Sequence, residues 1–121
     1  MTNKKITIIG ASPKPDRYSH KLLKMAVAND YEPILIHPIH SEIEGHTVYA
    51  KIPESAEGSI VTLYVNAKAS APLLADIIAV KPKLVLFNPG AENNELMENL
   101  KAKEIKCLEA CSLVLMTTGQ I

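Results

Sequence analysis

At 121 residues with 47% hydrophobic side chains, the chain is sized to fill one core, so a single domain over residues 1–121 is expected. Thirteen Lys and Arg balance thirteen Asp and Glu, which leaves no global field to draw the protein to nucleic acid or an anionic membrane. The longest apolar runs, such as 84–87 and 113–116, fall far short of the ~20 residues that span a bilayer, and the apolar stretch between Met1-Thr2-Asn3-Lys4-Lys5 and Gly10 is too short for a signal-peptide core, so a cytoplasmic protein is expected.

Ile6-Thr7-Ile8-Ile9 is the first predicted strand, β-branched throughout as suits burial on both faces of a sheet. It stops at Gly10. After a loop, Ser19 is placed to cap a helix whose apolar positions Leu22, Leu23, Met25, Ala26 and Ala28 recur at helical spacing, and Asn29-Asp30 ends it. Residues 33–36 form the second strand, with Pro33 tolerated at its first position, and His37-Pro38 breaks it. Between 39 and 57 no period is sustained; Gly45, Pro53 and Gly58 punctuate a connection with room for one short helix near Glu54. Residues 60–65 are the third strand, and Ser70-Ala71-Pro72 opens a helix that runs to about Val80, its proline in an early turn. Residues 83–87 make the fourth strand, 92–103 a helix with acids in its first turn, and 105–109 the fifth strand. The tail 112–121 is apolar without a decisive period.

Apolar runs alternating with helical segments are the mark of βαβ units, and right-handed crossovers then give an α/β fold. It is a Rossmann-like, doubly wound parallel sheet of about five strands with helices on both faces, three layers in all. Ligands bind such sheets outside the C-terminal ends of the strands, where the winding reverses. That selects residues 10–19, 37–40, 66–68 and 88–92.

The first segment leaves a buried strand and enters a helix. Gly10 permits a tight turn, and the first N–H groups of the helix carry partial positive charge suited to a phosphate. Ser12 and Ser19 add hydroxyl donors, and Arg17 can fork onto two phosphate oxygens. Each charge-assisted hydrogen bond is worth about 1.5–3 kcal/mol against about 0.3–1 kcal/mol for the helix dipole, so Arg17 leads the set. The plainer reading, that any βα turn wants small polar residues and Ser19 is only a cap, explains less about Arg17 and the two prolines. The loop is not G-x-G-x-x-G, since no glycine follows Gly10 until Gly45, and His37 stands where an NAD site places an acid. Both features count against NAD.

His37 and His40 read equally as contacts to an adenine or ribose and as partly exposed loop histidines. Asn66 and Lys68 offer an amide and an ammonium at the third strand's end, Lys68 either for a second phosphate or as a solvated lysine. Gly90 precedes a helix and is expected to form a wall for the ligand, while Glu92 is expected to cap that helix. Cys107 and Cys111 read as packed thiols, since two cysteines make neither a disulfide framework nor a zinc site. No nucleophile elbow, P-loop or paired carboxylate is present, so neither catalytic residues nor metal ligands are assigned. Cys111 with a distant histidine is available only as composition.

Taken together, Ile8-Ile9-Gly10-Ala11-Ser12 with Pro15, Arg17 and Ser19, then Tyr31, His37-Pro38, Gly45, Val48-Tyr49, Gly90-Ala91-Glu92-Asn93 and Cys111 resemble the small coenzyme A-binding family over nearly the whole chain. That family's fold is similar to the nucleotide-binding domain of the succinyl-CoA synthetase α subunit. The resemblance implies that Gly10, Ala11, Ser12, Arg17 and Ser19 contact the coenzyme's phosphates. It also implies that His37 and Pro38 border the adenosine and that Asn66 and Lys68 lie along the pantetheine or phosphate path. Departures are His37 for the usual asparagine, Ser59-Ile60-Val61 without an aspartate, Phe87-Asn88 for tryptophan-glutamine, and Ala110 for an arginine. The resulting expectation is non-catalytic binding of coenzyme A or a short acyl-CoA. The alternatives are an NAD(P)-binding redox sensor or enzyme and a ligand-free, partner-binding subunit. The expected partner is a small nucleotide ligand, with neither nucleic acid nor membrane, and self-association as a homodimer is left open.

Overall fold

The β-branched N-terminal run becomes the middle of the sheet, and the rest of the chain winds outward from it. The computed structural model describes residues 4–121, so Met1, Thr2 and Asn3 of the stretch read for a leader lie outside the described residues. In chain order it runs Lys5–Ile9 (β1), Tyr18–Ala28 (α1), Glu32–Ile36 (β2), the hairpin Glu42–Ile43 (β3) and His46–Tyr49 (β4), and Ile60–Leu63 (β5). Ala67–Ser70 (α2), Leu74–Ala79 (α3), Leu84–Phe87 (β6), Asn94–Ala102 (α4), Cys107–Glu109 (β7) and Ser112–Thr117 (α5) follow. Among the described residues no helix is long and apolar enough to cross a membrane.

The strands form one seven-stranded sheet in the order β3-β4-β2-β1-β5-β6-β7, parallel except where β3 runs against β4. Winding goes one way from β1 to β2 and the other way from β5 to β7, so the reversal lies between β1 and β5. This is the doubly wound α/β architecture expected, extended from about five strands to seven. Both unforeseen strands belong to the hairpin. Its turn is Glu44-Gly45, with φ of 51° and 79°, the left-handed pair that a two-residue hairpin turn requires. Elements of two and four residues are too short for an alternation to register, although an acid followed by glycine is the local cue.

Successive β1 side chains feed opposite cores. Ile6 and Ile8 pack with Leu22, Leu23 and Ala26 of α1 and Met116 of α5; Ile9 packs with Ile77 of α3 and Leu96 and Leu100 of α4. Each such side chain, removed from water, contributes about 1.5–3 kcal/mol. The apolar tail is therefore α5, which lies against α1. The connection after β4 holds the expected short helix as a 3₁₀ turn at Glu54–Ala56.

Two caps differ from expectation. Ser19 is buried inside the first turn of α1, and the N-cap is Arg17, extended at φ −79° and ψ 142° with no side-chain cap bond. Asn93, not Glu92, caps α4 by accepting from Leu96 N at 3.1 Å, because Glu92 Oε1 is occupied by Gly90 N at 3.0 Å. Asn66 caps α2, so that helix begins earlier than Ser70 and a 3₁₀ turn at Ala71–Leu73, which carries the proline, joins it to α3.

Candidate functional site

The sheet's reversal opens a cleft of about 1210 Å³ at the C-terminal ends of β1, β2 and β5. Gly10 fixes how tightly it closes. Its φ is +94°, and a Cβ there would sit 2.9 Å from Val65 Cγ1 and 3.2 Å from the Tyr64 carbonyl carbon. Only glycine allows the loop after β1 to lie so close to the end of β5.

Accounting for amides shows which parts of the loop remain open to an anion. Gly10 N and Ala11 N both donate to Ile36 O, at 3.0 and 3.2 Å, tying the loop to β2. Those two residues border the cleft with their N–H groups already engaged. The first amides of α1, at Tyr18 and Ser19, have no intrahelical carbonyl to reach and point out of the helix start. Ser12 Oγ accepts from Lys14 N at 3.2 Å, which leaves its O–H free to donate.

The charge around this opening is positive. Lys14, Arg17 and Lys21 line the cleft with Asp16, their spacings of three and four bringing the cations to one side of the loop and helix. Among the described residues neither ion pair engages Arg17. The side chains from beyond the reversal are uncharged: Tyr64, Val65, Ala69, Leu73 and Pro89. The cleft thus has one cationic and one uncharged lip.

His20 braces the cationic lip from behind. It is 2% exposed, and its Nδ1 lies 2.8 Å from Ser12 O. A carbonyl only accepts, so Nδ1 carries the proton and donates. Nε2 faces Glu44 Oε2 at 3.7 Å, outside hydrogen-bond reach. His20→Ala is expected to lower stability by about 1–3 kcal/mol, the cost of a buried group left unpaired. Urea unfolding checks this, and calorimetry with ligand is expected to show weaker binding from the loosened loop.

The other titratable groups divide by burial. Desolvation pushes the Tyr64 phenol up to about 12, an effect that the Ser112 and Thr62 hydroxyls offset in part and the nearby Cys111 thiol reinforces. Those two hydroxyls bond to each other at 2.7 Å and lie near the phenol without closing a hydrogen bond to it. Tyr64 therefore presents its ring to the cleft and keeps its hydroxyl buried and protonated. Burial also raises the Cys107 thiol, with Lys101 opposing. Cys107 is a packed thiol, while Cys111 is half-buried at the start of α5.

Beside the lining residue Pro89, Asn88 follows β6 and is enclosed. Its Nδ2 donates to Thr62 Oγ1 at 2.7 Å and Leu63 O at 2.8 Å, and its Oδ1 accepts from Ser112 N at 2.8 Å. One amide thereby joins β5, β6 and α5.

Of the residues singled out in the sequence, Gly10, Ala11, Ser12, Arg17, Ser19, His37 and Pro38 border the cleft. Asn66, Lys68 and Gly90 stand outside its lining: Asn66 Oδ1 is occupied as a cap by Ala69 N at 2.9 Å, Lys68 is exposed on α2, and Gly90 lies in the turn held by Glu92. Lys21, His20 and the lip residues Tyr64, Val65, Ala69 and Leu73 lie outside the segments selected from the sequence, while Lys14 and Pro89 lie inside them without having been singled out. A signal for Lys21 was its position four residues after Arg17. For His20 it was a polar side chain on the helix face shared by Leu23.

Three comparisons place this geometry. A solved structure described as an uncharacterized protein shares 34% sequence identity over 100% of both chains, with a TM-score of 0.91. Cell-free ID.343 from Thermus thermophilus matches at 23% identity over 98% of this chain and 90% of its own, TM-score 0.85. The dinucleotide forming acetyl-coenzyme A synthetase 1 of Ca. Korarchaeum cryptofilum, in complex with phosphate and ADP, matches at 17% identity over 89% of this chain but only 26% of its own, TM-score 0.70. The last two carry the fold alone. A family model, the CoA binding domain, matches residues 4–117, from the first strand through the last helix and across the cleft. The chain belongs to the CoA binding domain family.

Proposed function

We propose that the cleft binds coenzyme A or a short acyl-CoA and performs no chemistry on it. The observation that carries this reading is the pairing of two unlike lips. Open amides at the start of α1 with Lys14, Arg17 and Lys21 suit a diphosphate. The uncharged Tyr64, Val65, Leu73 and Pro89 suit the pantetheine arm. Family membership supports the same ligand class. A bare nucleotide would leave the second lip unused, and an NAD ribose diol would meet His37 instead of an acid.

Calorimetric titration with coenzyme A, acetyl-CoA, NAD and ADP tests the proposal. Heat is expected with the two CoA species, and the recovered acetyl-CoA is expected intact. Arg17→Ala is expected to weaken CoA binding about 10- to 100-fold, the loss of one charge-assisted fork of about 1.5–3 kcal/mol, with the unfolding midpoint little changed. The absence of heat with every CoA species at millimolar concentration, or tighter binding of NAD, would overturn it.

A further inference from the structure

The turn after β2 is held by a histidine nitrogen. His37 Nδ1 lies 3.1 Å from Ile39 N and 3.4 Å from His40 N. Backbone N–H groups only donate, so Nδ1 presents its lone pair and the ring's proton sits on Nε2. The ring also packs on His40, with centroids 4.3 Å apart and planes tilted by 41°. The His37 amide donates to Tyr49 O at 3.0 Å, which fastens the start of the turn to β4. Through His37, Pro38 and His40 this turn forms one wall of the cleft.

A proton added at Nδ1 removes the acceptor and sets an N–H against two N–H groups. We propose that residues 37–40 are a proton-gated wall: ordered while His37 Nδ1 accepts, released when it is protonated, so that affinity at the cleft falls on acidification. His40 is the titratable group against the ring, and a charge on it opposes a charge on His37. Tyr49 and Ala50 back the turn. The charged groups elsewhere in the cleft lining are Lys14, Arg17, Lys21 and Asp16.

The direction of titration agrees with the geometry. Burial, then His40, hold His37 below the ordinary histidine value. A depressed value means that the fold prefers the neutral ring. Its contribution to stability is complete above an ordinary pKa of about 6.5 and is lost as pH falls through that value and the lower folded one.

The test has two arms. In the unliganded protein, backbone amide NMR from about pH 8 to about pH 5 is expected to show the Ile39 and His40 signals shifting together with the His37 ring. In His37→Asn, whose Oδ1 is an uncharged acceptor suited to the same turn, the titration of the Ile39 amide is expected to vanish. The second arm rests on the CoA reading. Between about pH 7.5 and about pH 5.5, affinity for coenzyme A is expected to fall about three- to tenfold more in the unsubstituted protein than in His37→Asn, the equivalent of one hydrogen bond. The coenzyme's own phosphate titrates alike in both proteins, so the comparison removes it.

Amides of Ile39 and His40 that ignore the His37 titration, or affinities with identical pH dependence in the two proteins, would overturn the gate. Amides that follow His37 in a protein that never binds coenzyme A would keep the gated wall and sink the ligand assignment instead. Should His37→Asn fail to fold, imidazole nitrogen NMR of the unsubstituted protein decides: a neutral His37 with its proton on Nδ1 refutes the proposal, and one with its proton on Nε2 supports it.

Discussion

Gly10→Ala is expected to lower the unfolding free energy by about 2–6 kcal/mol and to abolish measurable binding of coenzyme A. Two costs add. A residue with a Cβ at φ +94° is strained by about 1–3 kcal/mol, and the new carbon meets Val65 Cγ1 at 2.9 Å and the Tyr64 backbone at 3.2 Å. The end of the valine side chain can shift, but the tyrosine backbone belongs to the chain leaving β5, so overpacking adds about 1–3 kcal/mol. Thermal unfolding is the readout, with a midpoint lower by roughly 10–20 °C. Any relief moves the loop after β1 away from β5, which misplaces the start of α1 and its open amides. An alanine variant with unaltered midpoint and affinity would show that the close approach is not what sets the cleft.

Asn88→Ala is expected to cost about 3 kcal/mol, measured as a lower urea midpoint. The substitution strands the Ser112 amide in an enclosed site, leaves the Leu63 carbonyl with only the longer 3.4 Å bond from the residue-88 backbone amide, and takes a donor from Thr62 Oγ1. Each unsatisfied buried group costs about 1–3 kcal/mol. Asn88→Asp does not rescue it, because a carboxylate keeps the acceptor for Ser112 but turns an oxygen toward the Leu63 carbonyl. Since α5 is anchored through Ser112, near-ultraviolet circular dichroism of the neighbouring Tyr64 is expected to change along with stability.

The architecture was legible because the buried strands are written as short, continuous apolar runs: 6–9 and 33–36 appear in the sheet, and 60–65 appears as 60–63, with the spacing that crossover helices impose. The cleft's position was legible too, since parallel topology fixes where strand ends gather. Hydrogen-bond bookkeeping was not. Gly10 and Ala11 look open on paper, yet the Ile36 carbonyl takes both amides. Asn66 looks like a ligand group but is occupied as a cap, as Glu92 is by Gly90. Such assignments depend on which carbonyl arrives from a distant strand, and that is settled only when the chain closes in three dimensions. Most of the uncharged lip was missed for the same reason, since Val65 and Leu73 carry no local pattern that sets them apart from core.

The sheet's two borders are its shortest members, β3 with two residues and β7 with three. Unpaired strand borders invite other chains to add on and seed aggregation, and the longer the border, the firmer the hold. Here a newcomer would find a ladder of only a few bonds at either side before the backbone turns away. The short borders thus limit edge-to-edge addition at both ends of the sheet, and both lie away from the cleft at the sheet's reversal.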